Sequence, residues 1–223
     1  VPGSVLWLLK SCDEVEDRLR AQAVEAGIAP ERLVFAPITG AHDHLARYPL
    51  ADLFLDTLPY GAHTTASDSL WMGVPVLTMR GRGFAGRVCA SLVHAAGLPE
   101  FVCASAEDYV DRAIAFGRDR ASLAPYRDRL VSGRGTALLF DTPRLVRELE
   151  ALFHAMWGDF AAGRLPRPNL VNLDTYLDLG ATMDHETVET SFLPDYAERW
   201  RAAVARRDAY AALAPDGRLT EGH

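Results

Sequence analysis

Residues 51–75 read ADLFLDTLPYGAHTTASDSLWMGVP, and this stretch decides the fold. An apolar run that begins at Leu53 and ends at Asp56 predicts a strand, and a loop with Pro59 and Gly61 follows it. His63-Thr64-Thr65 then open a predicted helix. This order is typical of an open parallel sheet, in which ligands bind beyond the carboxyl ends of the strands. The loop therefore lies where a ligand would bind.

The same strand–loop–helix pattern repeats in both directions along the chain. Short, nearly continuous apolar runs predict strands that helices cover on both faces: Val5–Leu9, Leu33–Ala36, Leu53–Asp56, Val74–Met79 and Phe101–Cys103. Amphipathic stretches predict helices at Val15–Ala26, Asp43–Tyr48, Thr65–Met72, Ala85–Ala96 and Ala106–Phe116. Gly27, Gly73 and Gly97 each follow a predicted helix, as glycines that end helices do. The predicted fold class is α/β, a Rossmann-like parallel sheet with helices on both faces.

From Asp119 onward, strands give way to helix. Thr142-Pro143, a cap followed by proline in the first turn, predicts the start of a long helix with apolar residues at helical spacing. A proline-rich link, Leu165 to Pro168, precedes a polar helix at about Pro194 to Leu213. We therefore divide the chain into a Rossmann-like domain at 1–140, a long helix at 141–164, and a linker with a helical tail at 165–223.

Composition excludes several classes of function. The formal net charge is −7 without a basic cluster, which argues against a nucleic-acid partner because the phosphate backbone requires concentrated Lys and Arg. The longest apolar run, Val5 to Leu9, is too short to span a membrane. Cys12, Cys89 and Cys103 fit neither a disulfide framework nor zinc spacing, so we expect reduced thiols in a soluble, cytoplasmic protein. The chain starts directly on a core strand, so we expect a piece of a longer protein.

The predicted helix start at His63-Thr64-Thr65 suits a phosphorylated ligand. Unpaired N–H groups and the positive end of the helix dipole attract phosphate there, and the two threonines add hydroxyl donors. Asp68 lies one turn further on the same helical face and can accept hydrogen bonds from ribose hydroxyls. A nucleotide diphosphate requires both kinds of contact: Thr64 and Thr65 can bind the diphosphate, and Asp68 can bind the ribose. The alternative interpretation is an ordinary N-cap threonine with a nearby acid and no ligand.

A second candidate loop, Pro37 to His44, also follows a predicted buried strand. His42 and His44 flank Asp43, but residues two apart on a helix point away from each other, which disfavours a metal site. His44 can instead stack on a nucleobase. Arg47, three residues along, lies on the same face and can hydrogen-bond the base.

These motifs resemble the O-linked N-acetylglucosamine (O-GlcNAc) transferases, and bacterial members in particular. The resemblance covers Val1 to Pro166, as VPGSVLWLL, RLVFAPITGAHDHLARYPLADLFLDT, GAHTTASDSLWMGVPVLTM, SLVHAAG and LVRELEALFHAMW in the family's order. It implies the carboxyl-terminal half of a GT-B glycosyltransferase catalytic region. Such an enzyme is inverting and metal-independent, uses no cofactor, and transfers a sugar, N-acetylglucosamine in this family, from a UDP-sugar to a Ser or Thr hydroxyl of an acceptor protein.

The resemblance also implies roles for individual residues. His63, Thr64 and Thr65 match family positions around the diphosphate and the sugar, and would stabilise the leaving diphosphate during catalysis. Asp68 matches the ribose contact. Around the base, His44 matches the residue stacked on uracil, Arg47 a nearby base contact, and Thr39 a residue whose backbone pairs with the base.

The sequence departs from the family at several points. Ala41 stands where animal enzymes carry a nucleotide-contacting lysine, and Lys10 does not match the family's diphosphate lysine. That lysine, the histidine proposed as general base, the amino-terminal catalytic half and the acceptor-binding helical repeats fall outside this sequence. Three alternatives stay open: a UDP-sugar-binding module without catalysis, a GT-B-like epimerase or transferase for lipid or small-molecule acceptors, and a purely structural fragment.

Overall fold

The computed structural model describes residues 1–164, 171–183, 193–216 and 219. Five short strands pair in parallel, as predicted: β1 (Leu6–Leu9), β2 (Leu33–Ala36), β3 (Phe54–Leu55), β4 (Val76–Met79) and β5 (Val102–Cys103). Among the described residues they form two ladders, β1–β2 and β3–β4–β5. The register pairs Leu6 with Leu33 in one ladder and Phe54 with Val76 in the other. The predicted Rossmann-like α/β fold is therefore confirmed.

Helices follow the strands along the chain. Those of the α/β region are α1 (Asp13–Glu25), α2 (Ala41–Arg47), α3 (Thr64–Trp71), α4 (Phe84–Ala95), α5 (Ala106–Arg118) and α6 (Ala124–Gly133). Beyond them lie the long helix α7 (Thr142–Ala161), then α8 (Leu173–Ala181) and α9 (Tyr196–Tyr210). The predicted bounds agree within two or three residues, whereas α6 and α8 had no predicted bounds. The predicted link Leu165 to Pro168 lies outside the described residues, and the division into domains stays a prediction.

The core is built around β4, whose residues Val76, Leu77 and Thr78 are completely buried. Helices α3 and α4 pack against it with Leu70 and Val93. Aromatic rings close the far side of this core: Phe101 stacks on Phe116 at 5.1 Å and meets Tyr126 edge-on at 4.8 Å. Each fully buried large apolar side chain contributes about 1.5–3 kcal/mol, so this cluster fixes the frame on which the strand ends are presented.

The strands of the first ladder are less buried than their apolar runs predicted. Leu6 and Leu9 of β1 are 46% and 53% exposed, and Val34 of β2 is 42% exposed. Only β4 has the continuous burial that its apolar run predicted. An apolar run indicates that a strand can be covered on both faces, but packing from elsewhere decides whether it is.

Three glycines end helices as predicted. Gly27, Gly73 and Gly97 have φ values of 72°, 80° and 85°, the left-handed region that a side chain disfavours. Gly73 lets the chain turn directly from α3 into β4, so it fixes the spacing between the helix that begins at Thr64 and the central strand.

The last helices form a separate apolar cluster. Leu179 of α8 and Ala203 of α9 pack with Leu219, and Trp200 borders them. This tail meets the α/β region where the Arg82 guanidinium lies 4.0 Å from the centre of the Tyr196 ring. Among the described residues, no helix combines the length and apolarity needed to cross a membrane.

Candidate functional site

The candidate site lies at the carboxyl edge of β3 and β4. Asp56 directly follows β3, and its backbone N–H donates to the Leu77 carbonyl in continuation of the ladder. Its side chain is buried: one carboxylate oxygen accepts from the Ala62 N–H at 2.6 Å, and the other from the Thr78 hydroxyl at 2.6 Å. These bonds fold residues 56–63, which we call the β3–α3 loop, back over the strand end.

A close backbone approach holds the other side of the β3–α3 loop. The Gly61 N–H donates to the carbonyl of Ala85 at 3.1 Å. A Cβ atom at Gly61 would lie 3.2 Å from that carbonyl oxygen and 3.2 Å from Asp56 Oδ2. A side chain at this position would push these neighbours away by a few tenths of an ångström, so space favours glycine here. Backbone conformation does not, since φ of Gly61 is not in the left-handed region.

His63 ends the loop and is the N-cap residue of α3. Its Nε2 lies 3.3 Å from the Ala85 carbonyl oxygen, to which it donates in the Nε2–H tautomer. The Tyr60 ring stacks on the imidazole at 5.1 Å, and Phe84 meets it edge-on at 6.0 Å. Both rings are largely exposed, so His63 is held in place from both sides while its surroundings stay open.

Thr64 and Thr65 are the first two residues of α3, and both are exposed. His63, not a threonine, is the N-cap residue, and its side chain makes no capping hydrogen bond. No threonine therefore occupies the N-cap position, and both hydroxyls lie at the positive helix end. A helix start without a ligand stays an alternative interpretation. A pocket of about 310 Å³ lies beside the β3–α3 loop and is lined by His63 and Thr65, but not by Thr64 or Asp68.

The second predicted group of residues lies on α2. A guanidinium nitrogen of Arg47 is 2.6 Å from His44 Nδ1, and because arginine can only donate, Nδ1 is the acceptor. Arg47 also donates to the Pro37 carbonyl at 2.8 Å and lies over the Trp7 ring at 5.8 Å. His44 and Arg47 therefore share one face, as predicted, and His44 keeps its Nε2–H for another partner.

The remaining predicted positions near α2 are exposed. Thr39 lies in the loop before α2, and Ala41 is the first residue of the helix. His42 approaches only Asp43, at 3.3 Å, and does not join His44. No group of three His, Cys, Asp or Glu side chains within the described ranges is arranged to hold a metal ion. The predicted independence from metal stays a prediction.

Tyr48 joins the two groups and was missed by sequence reasoning. Its hydroxyl lies 3.4 Å from the backbone carbonyl oxygen of Thr65, to which it donates, and its ring meets His44 edge-on at 5.2 Å. Burial, and secondarily the negative charge of Asp68, raises the pKa of Tyr48, which keeps its hydroxyl protonated as a donor. The residues predicted for the base and those predicted for the ribose and diphosphate are thus linked by one side chain.

Asp56 was also missed, although the sequence carries a signal for it. It is a charged residue directly after an apolar strand, at the sheet edge where ligands bind. Thr78 and Tyr109 complete its surroundings from β4 and α5; the Tyr109 hydroxyl donates to the Asp56 carbonyl at 2.8 Å. Neither of these partners has a local sequence signal, because both come from distant parts of the chain.

Comparison with known proteins identifies relatives of the chain. The model of the family described as glycosyl transferase family 41 matches residues 1–149. A UDP-N-acetylglucosamine–peptide N-acetylglucosaminyltransferase of Caenorhabditis elegans is 36% identical over 172 residues, 77% of this chain and 15% of that relative. A probable UDP-N-acetylglucosamine–peptide N-acetylglucosaminyltransferase of Arabidopsis thaliana is 36% identical over 75% of this chain and 17% of its own length.

A solved structure agrees with these sequence relatives. An O-GlcNAc transferase mutant of Thermobaculum terrenum superposes with a TM-score of 0.65 at 37% identity, covering 70% of this chain and 30% of that one. The chain spans about a sixth of the length of the two sequence relatives.

Proposed function

The chain belongs to glycosyl transferase family 41, and from this premise we propose that it forms the donor-binding half of a protein O-glycosyltransferase. The enzyme transfers N-acetylglucosamine from its UDP-sugar to a Ser or Thr hydroxyl of an acceptor protein, with inversion and without a metal ion. Its relatives' names support the donor and the peptide acceptor. The other catalytic half and helical repeats for the acceptor are part of the proposal. Free Cys12, Cys89 and Cys103 support a reducing, cytoplasmic setting.

The observation that carries this proposal is the link between α2 and α3 through Tyr48. It brings His44 and Arg47 to the same side of the sheet edge as Thr65 and Asp68. A UDP molecule needs a stacking surface for the base, acceptors for the ribose hydroxyls and donors for the diphosphate. His44, Asp68 and the α3 start carry these three chemistries, and Tyr48 contacts or senses the charge of residues from each group.

In the proposed reaction, the acceptor hydroxyl oxygen attacks the anomeric carbon as the bond from that carbon to the diphosphate oxygen breaks. The electron pair of the broken bond stays on the diphosphate, whose negative charge grows. Backbone N–H groups at the α3 start and the hydroxyls of Thr64 and Thr65 would stabilise that charge, because they lie at the positive end of the helix dipole. The hydroxyl proton passes to a general base for which this chain offers no assigned residue.

The Thr65→Ala variant tests the role of the α3 start in the full-length protein. Removing one preorganised donor lowers turnover by about 10² when its bond strengthens only in the transition state. We therefore expect kcat with a UDP-sugar and a peptide acceptor to fall by about this factor, while UDP still binds. Thr136→Ala, which removes an exposed hydroxyl bonded only to the Gly133 carbonyl, serves as the control. An unchanged kcat with an intact UDP complex would contradict the assignment.

Calorimetry and product analysis separate the proposal from the alternatives. We expect UDP to bind, and mass spectrometry of a Ser/Thr-containing peptide to detect an added N-acetylhexosamine that persists after treatment of the enzyme with a chelator. UDP binding without turnover would instead identify a binding module. A product on a lipid or small molecule alone would overturn the protein acceptor, and no nucleotide binding at millimolar concentration would overturn the donor site.

A further inference from the structure

Asp56 lines the pocket beside the β3–α3 loop, but its buried carboxylate has no part in the donor chemistry described above. We propose that Asp56 is a positioning residue, which fixes the β3–α3 loop so that His63 and the α3 start are aligned for the donor. This inference rests on the proposed function, because the donor defines what the loop is aligned for. It assigns a role to the side chain that anchors the loop, and not to a further ligand contact.

The two carboxylate oxygens tie the loop to the central strand. Oδ1 accepts from the Ala62 N–H, one residue before His63, and Oδ2 accepts from the Thr78 hydroxyl in the middle of β4. Both distances are 2.6 Å, so both hydrogen bonds are short. Because Ala62 directly precedes His63, the N-cap residue of α3, a displacement of the Asp56 carboxylate also displaces the start of that helix.

The backbone of Asp56 is itself held from two directions. Its N–H donates to the Leu77 carbonyl of β4, and its own carbonyl accepts from the Tyr109 hydroxyl of α5 at 2.8 Å. The carboxylate thus extends from a fixed point on the sheet. A side chain anchored in this way imposes its position on the loop and does not follow the loop's movements.

Electrostatics argue against a direct role for Asp56 in binding the diphosphate. A carboxylate beside a phosphate raises the energy of the bound ligand, and each carboxylate oxygen already has a protein donor. Burial of the charge, at 7% exposure, is also costly unless its hydrogen bonds are satisfied. We therefore attribute the buried Asp56 carboxylate, beside the proposed diphosphate site, to its hold on the β3–α3 loop.

Three variants of the full-length protein test the inference. Asp56→Ala removes the anchor. Gly61→Ala keeps the carboxylate but adds a Cβ 3.2 Å from Asp56 Oδ2 and from the Ala85 carbonyl oxygen. The loop and these neighbours must then shift by a few tenths of an ångström, without emptying the core. Ser69→Ala is the matched control, because it deletes a completely buried hydroxyl in α3 that donates to the Val74 carbonyl, away from the loop.

The readouts are hydrogen exchange of residues 57–63 and calorimetric affinity for UDP, both measured well below the unfolding transition. We expect Asp56→Ala and Gly61→Ala to lose exchange protection in the loop and to bind UDP about tenfold more weakly, since misplaced contacts lose affinity steeply. Ser69→Ala should retain both. Asp56→Asn should rescue affinity to within about threefold, because its amide oxygen still accepts from Ala62 N–H while its NH₂ faces the Thr78 oxygen.

The possible failures are distinguishable. Unchanged loop protection in Asp56→Ala, or equal loss of UDP affinity in Ser69→Ala at the same melting temperature, overturns the positioning role. If Asp56→Ala does not fold, Gly61→Ala carries the test, and wild-type affinity in that variant overturns the role. Failure of the wild type to bind UDP contradicts the proposed function instead, and the exchange data then still report whether Asp56 holds the loop.

Discussion

At the scale of single residues, two buried cysteine thiols near the carboxyl edge of the sheet resist ionisation. Burial, and secondarily the Asp56 charge, raises the pKa of the Cys89 thiol well above its ordinary value. Burial, followed by the charge of Asp108, raises the pKa of Cys103 to about 11. Both thiols are therefore neutral at physiological pH and act as small apolar side chains beneath the site.

These thiols predict a loss of stability at alkaline pH. The Cys103 thiol of the unfolded chain ionises near pH 9, whereas the folded one stays protonated until about pH 11. Unfolding then releases a proton, so the free energy of unfolding falls with pH by up to about 1.4 kcal/mol per pH unit for each thiol. The contribution of the Cys103 thiol to the free energy of unfolding is complete below pH 9 and is lost as pH rises towards 11.

Urea unfolding at pH 8, 9 and 10 measures this effect. We expect Cys103→Ala to reduce the slope between pH 9 and 10 relative to the wild type. Cys12→Ala, at an exposed cysteine, should keep the wild-type slope. Equal slopes in all three proteins would mean that Cys103 ionises normally in the folded state.

Residues of the site differ in how far the sequence alone could find them. Thr64, Thr65 and Asp68 were predictable because a strand end, a loop and a helix start are written in consecutive residues. Tyr48 and Asp56 were not, since their roles depend on partners from other elements, such as the Thr65 carbonyl and the Thr78 hydroxyl. Local pattern indicates a candidate site, whereas the supporting contacts follow only from tertiary structure.

At the scale of elements, the turn from α3 into β4 is more tightly constrained than the turn that follows α1. Gly73 and Gly27 both have left-handed φ, but a Cβ at Gly73 would lie 2.8 Å from Val131 Cγ2 of α6. A Cβ at Gly27 would have no heavy atom within 4 Å. The same backbone conformation is thus combined with close packing at one position and open space at the other.

This pair of glycines yields a prediction about stability. Gly27→Ala should lower the free energy of unfolding by about 1–2 kcal/mol, the cost of placing a side chain in the left-handed region. Gly73→Ala should cost about 1 kcal/mol more because of the overlap with Val131. Adding Val131→Ala to Gly73→Ala removes the overlap and should return the cost to the Gly27→Ala value. Equal costs for the two single variants, measured by urea unfolding, would show that α6 shifts freely.

Elements were predicted well where one physical signal dominates. Continuous apolar runs identified all five strands, and helix-ending glycines fixed three boundaries. The burial of β1 was predicted wrongly, since an apolar sequence cannot reveal which of its faces another element will cover. The start of α6 carries Ala124-Pro125 after a short turn and lacks a side-chain cap, so proline is the start signal there and a capping residue is not.

At the scale of the whole molecule, apolar side chains divide into a buried core and an exposed stripe. The core centres on β4 and includes Phe101, which is completely buried. The stripe runs along α7, where all eight large apolar side chains are at least 40% exposed: Leu145, Val146, Leu149, Leu152, Phe153, Met156, Trp157 and Phe160. The helical spacing of these residues correctly predicted α7. It did not predict that the stripe would stay uncovered by the other described residues.

This division predicts effects of very different size for two phenylalanines in the 223-residue chain. Phe101→Ala opens a cavity against Phe116 and Tyr126, so it should lower the free energy of unfolding by about 3–5 kcal/mol. Phe153→Ala removes a ring that is 60% exposed on α7 and should change that free energy by less than about 0.5 kcal/mol. Urea unfolding of both variants at several protein concentrations checks this. Self-association through α7 would make any loss of stability in Phe153→Ala depend on protein concentration. A loss above about 1 kcal/mol that does not depend on concentration would instead mean that the α7 stripe packs against the chain's own core.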